Sequence, residues 1–63
     1  MSDKQILELI YDEDALLEYL GNLFEYVGKK CGYFVFQDIN DVSHSLFVAY
    51  EELLNSSKYQ LVR

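Results

Sequence analysis

The chain has 63 residues, 51% of them hydrophobic and 16% aromatic, and carries a formal charge of −6 at pH 7. One domain is the most this length allows, and a domain so small buries only about 60% of the surface its unfolded chain exposes. A single cysteine, Cys31, excludes an internal disulfide, and Cys31 with His44 falls two ligands short of a structural zinc site.

From the N-terminus, Ser2 followed three residues later by Gln5 has the form of a capping box, with Asp3 suited to the positive end of a helix dipole. Apolar side chains then recur at Ile6, Leu9, Ile10, Leu16, Leu17, Leu20, Leu23, Phe24 and Val27. Steps of three and four predict an amphipathic helical segment over residues 1–28, with Gly28 as its C-terminal cap. Glu13 interrupts the stripe inside the run Asp12-Glu13-Asp14, which leaves either one long helix or two, the second capped by Asp12.

A short turn, Gly28 to Gly32, leads to Tyr33-Phe34-Val35-Phe36, an aromatic and β-branched run that reads as a buried strand. After a polar turn, a second helix is expected from near Asp41, with Val42, Leu46, Ala49, Tyr50, Leu53 and Leu54 on one face. The tail from Tyr59 to Arg63 alternates loosely and fits a second strand. The expected fold is therefore α+β: one small helix-dominated α(α)βαβ domain whose two strands lie parallel through a right-handed crossover. An all-α bundle is the alternative.

Charge is unevenly placed. Residues 1–28 hold seven acids against Lys4, a net of −6, whereas residues 29–63 balance four acids with four bases. On a helix, Glu8/Asp12 and Asp14/Glu18 place like charges four apart, each pair costing about 0.2–0.5 kcal/mol. A surface kept acidic at that cost, with tyrosines beside it, suits a basic protein partner. The candidate partner-binding residues are Glu8, Tyr11, Asp12, Asp14, Glu18, Tyr19, Asn22, Glu25 and Tyr26.

Five bases with no patch beyond Lys29-Lys30 speak against direct nucleic-acid binding. A calcium loop starting at Asp12 would need glycine and glutamate where Leu17 and Leu23 stand. Ser43 and Ser45 flank His44, but neighbours on a helix diverge too far for a proton relay. Neither a metal, a cofactor nor catalysis is expected, and no apolar run approaches the ~20 residues of a membrane span. Together these features describe a cytoplasmic acidic binding protein. An inhibitor that occludes the basic surface of a nucleic-acid-binding or other host protein fits, in the manner of phage antagonists, antitoxins or immunity proteins. The competing expectation is a homodimer or accessory subunit whose acidic face only solvates it.

Overall fold

The computed structural model describes residues 1–62 and is built on a five-stranded antiparallel sheet. Its elements are α1 (Asp3–Tyr11), β1 (Leu16–Tyr19), β2 (Asn22–Lys30), β3 (Tyr33–Asp38), β4 (Asp41–Val48), α2 (Tyr50–Asn55) and β5 (Tyr59–Val62). The strand order is β4-β3-β2-β1-β5, so β1 to β4 form a meander and β5 returns across α2 to the far edge. This overturns both the helix-dominated fold with two parallel strands and the all-α alternative.

Helix α1 forms as its N-terminus predicts. Ser2 Oγ accepts from the Gln5 N–H at 3.2 Å, and Gln5 Oε1 accepts from the Ser2 N–H at 3.1 Å. The helix stops at Tyr11, because Asp12 folds back on itself: its carboxylate takes the Asp14 N–H and its carbonyl takes the Ala15 N–H. Such an Asx turn offers the backbone an alternative to continuing the helix. The single long helix and the second helix from Asp12 are both replaced by this turn and the hairpin beyond it.

Two residues, Leu20 and Gly21, join β1 to β2, and two more, Cys31 and Gly32, join β2 to β3. All four have positive φ, from 52° to 82°. Positive φ at both central positions is the signature of the turn whose twist matches a two-residue hairpin. Each pair therefore converts a continuous apolar run into two strands. Gly28, expected as a helix cap, sits instead at a bulge where β2 slips one residue against β3. The helix expected from Asp41 divides in the same way, since residues 41–48 form β4 and only Tyr50–Asn55 coil into α2.

These turns can be tested directly. Leu20 is 76% exposed in the left-handed region, where asparagine is better tolerated than leucine. Leu20→Asn is expected to raise stability by about 0.5 kcal/mol, and Gly32→Ala to lower it by about 1 kcal/mol, both read from urea denaturation.

Both helices cover one face of the sheet. Ile6 and Leu9 from α1 and Leu53 from α2 pack with Leu17, Phe24, Phe34, Phe36, Val48 and Tyr59. Aromatic pairs tile this face: Tyr19 stacks on Tyr59 at 4.8 Å, and Tyr26 meets Phe36 edge-on at 5.7 Å. The Met1 amino group donates to the Leu53 carbonyl at 2.9 Å and ties the start of α1 to α2. Asp38 is the buried polar residue of this face. It accepts the Asn40 N–H at 2.8 Å, and its other oxygen lies 3.4 Å from His44 Nδ1. That contact is an ion pair when His44 is protonated.

Burial pushes the Tyr59 hydroxyl up to about 12, helped by Glu52 beside it. An unfolded chain ionises tyrosine near 10 while this folded one resists. The stabilisation is complete below pH 10 and is lost as pH rises towards 12. Alkaline unfolding in that window is the expected result, and Tyr59→Phe should flatten it in a pH series of thermal melts.

Candidate functional site

The first strand is short. It pairs with β2 only from Asn22 to Phe24, so Glu25 to Lys30 run on past its end. The loop after α1 crosses at that place, and between loop and strand lies a groove of about 330 Å³. Leu9, Ile10, Ala15 and Tyr26 supply its apolar lining, while Asp12, Glu13 and Glu25 supply carboxylates. Tyr11, 79% exposed, stands next to Asp12 at the end of α1, and Asp14 is exposed in the same loop.

The groove has a local cause. The Asx turn at Asp12 takes the chain out of α1 and into β1 over three residues, Glu13 to Ala15. Ala15 is buried, leaving the acids of the turn on the rim. A pocket that is apolar on its walls and acidic at its mouth has the form that receives a long basic side chain. The stem of a lysine or arginine lies along apolar carbon while its charged head reaches carboxylate.

The predicted residues divide into two groups. Tyr11, Asp12, Asp14, Glu25 and Tyr26 come together at this corner. Glu8 is half-buried on α1. Glu18 lies on β1 opposite Leu23 and Gln60, and Asn22 is exposed at the start of β2. Tyr19 turns onto the covered face against Tyr59, and Tyr26 contacts Phe34 and Phe36 there, so neither ring stands on an outer helical surface. The helical spacing assumed for Asp14/Glu18 does not exist, since one is in a loop and the other in a strand. Lys29, on the same strand as Glu25, lies 5.5 Å from the centroid of the Phe34 ring.

Sequence reasoning missed Glu13 as a member of the corner, treating it as a break in a stripe. It also missed Leu9, Ile10 and Ala15 as groove wall. The usable signal was Asp12-Glu13-Asp14 read as an Asx turn, which predicts exposed acids beside the end of a helix.

Elsewhere, Asp41 accepts from Ser43 Oγ at 2.6 Å and from the Ser43 N–H at 3.1 Å, and these bonds hold its carboxyl below the usual range. His44 is exposed, with its ring edge-on to Phe24 at 5.3 Å. No group of His, Cys, Asp and Glu able to hold a metal occurs among the described residues. No described helix is long and apolar enough to cross a membrane. Comparison with protein-family models, with curated proteins and with solved structures gives no match.

Proposed function

We propose that this chain is a small acidic protein-binding module that docks a basic surface of another protein at the corner between α1 and β1. The observation that carries this reading is the groove itself. Asp12, Glu13 and Glu25 stand at a cleft with an apolar wall, a form that favours a partner arginine or lysine over a small anion or a nucleic-acid phosphate.

Exposed Tyr11 adds rigid contact area with a polar tip beside the carboxylates. The net charge of −6 steers a basic partner toward the corner from beyond contact range. A module of this kind acts by occupying a surface, so inhibition of a nucleic-acid-binding or similar basic protein is the role proposed for it. Phage-encoded antagonists and immunity proteins are analogues in composition only.

Capture of partners from the native host, run at low and high salt with mass-spectrometric identification, tests the reading. Basic proteins that elute as salt rises support it. Capture of partners that are acidic, or indifferent to salt up to about 1 M, where the screening length falls to about 3 Å, would refute it.

A further inference from the structure

The sheet has one face packed by the helices and one face that nothing covers. On the uncovered face the register sets Phe47 beside Val35 and Val35 beside Gly28, with Val27 at the bulge next to it. Leu16 pairs with Val62 on the same face, and Leu23 lies opposite Glu18. Phe47 is 55% exposed and Val27 52%. An antiparallel sheet open to water ordinarily alternates apolar-in with polar-out. Here apolar side chains point both ways, the mark of a surface that meets another.

The charges on this face decide what it meets. Along β2, Glu25 precedes the apolar patch and Lys30, paired across the strand with Tyr33, follows it. Among the described residues, neither is part of an ion pair. A two-fold axis lying in the face and crossing β2 near Val27 turns this polarity on itself. It sets Glu25 of one copy over Lys30 of the other, twice, with the apolar patches between.

We propose that the uncovered face is a self-complementary interface at which two copies of this chain stack sheet on sheet. Aligned packing at about 10 Å lets the side chains of Val27, Val35 and Phe47 interdigitate with their symmetry mates. Five strands at about 4.8 Å give a face about 24 Å across, enough for a small, reversible dimer. The acidic turn Asp12–Asp14 stays outside it, and Glu25 is the residue the two surfaces share, so Phe47 and Lys30 variants test this proposal while Glu13 and Asp14 variants test the acidic corner.

Sedimentation velocity on the full chain across a range of concentrations is the test. Dimers are expected, with Phe47→Lys raising the dissociation constant at least tenfold while thermal melts taken at concentrations where the chain is monomeric stay unchanged, because Phe47 lies outside the core. Lys30→Glu and Glu25→Lys should each weaken the dimer about tenfold, and both together in one chain should return it to within about threefold of the original. A chain that stays monomeric at every concentration overturns the proposal. So does a dimer that Phe47→Lys leaves intact, or one that the paired charge swap does not rescue. If the monomer instead binds an unrelated protein through Phe47, the occupant named here is wrong.

Discussion

Phe36→Ala is expected to remove at least about a third of the chain's folding stability. Phe36 is fully buried at the centre of the covered face, paired across strands with Tyr26 and Leu46 and edge-on to the Tyr26 ring. Truncating such a residue costs about 3–5 kcal/mol, the lost transfer energy plus the cavity left behind. A natural domain has about 0.05–0.15 kcal/mol of stability per residue, which is about 3–9 kcal/mol for a chain of this length. The loss is about a third of the upper figure and all of the lower one. Phe47→Ala, on the other face of the same sheet, is expected to cost less than about 1 kcal/mol. Urea denaturation followed by far-UV circular dichroism compares the two, and equal losses would mean that the burial asymmetry is wrong.

The second large effect concerns binding. Glu13→Lys with Asp14→Lys reverses two charges at the acidic corner and leaves the net charge at about −2. Both residues are exposed and outside the hydrophobic core. Stability should therefore move by no more than about 0.5 kcal/mol. Association with a basic partner should slow by about 10–100-fold at low salt, since carboxylates act chiefly by steering encounter. At about 1 M salt the two proteins should converge. Stopped-flow or surface-based kinetics against the captured partner measures this directly. Unchanged on-rates would move the binding surface away from the groove.

Parts of this fold are legible in the sequence. The Ser2 and Gln5 pattern places the start of α1 because capping is local chemistry: the two residues satisfy each other's backbone donors three positions apart. Tyr33 to Phe36 announces β3 because β-branched and aromatic residues fit a pleated buried surface. Tyr59 to Val62 is also a strand, although Arg63 lies outside the described residues. The concentration of acid in residues 1–28 is a property of the sequence and holds in any fold.

The meander was not legible, and the reason is specific. Leu16, Leu17, Leu20, Leu23, Phe24 and Val27 recur in steps of one, three and four, as a helical stripe would. In the sheet they divide between two faces. Leu17 and Phe24 point to the helices, Leu16, Leu23 and Val27 to the open side, and Leu20 sits in the turn. A strand with leucine on both faces loses the alternation that identifies it. The turns were hidden too, since Leu-Gly and Cys-Gly are weaker hairpin signals than Asn-Gly or Asp-Gly. Leucine and glutamate are good helix formers, and their pairing across strands overrode that preference.

The acids proposed to bind a partner form one helix face in the sequence reading, and tertiary structure rearranges them. The sequence by itself determined that the acids lie in the first half of the chain, that a capped helix opens it and that an aromatic strand stands at its centre. Those are matters of composition and short-range hydrogen bonding. Only the folded sheet decided which acids meet. It brings Glu25 to the groove beside Asp12 and Glu13 because β1 stops short of the end of β2, and it turns Tyr19 and Tyr26 inward because alternation along a strand allows no other choice. Register is a relation between segments, and the segments carry it only once they are paired.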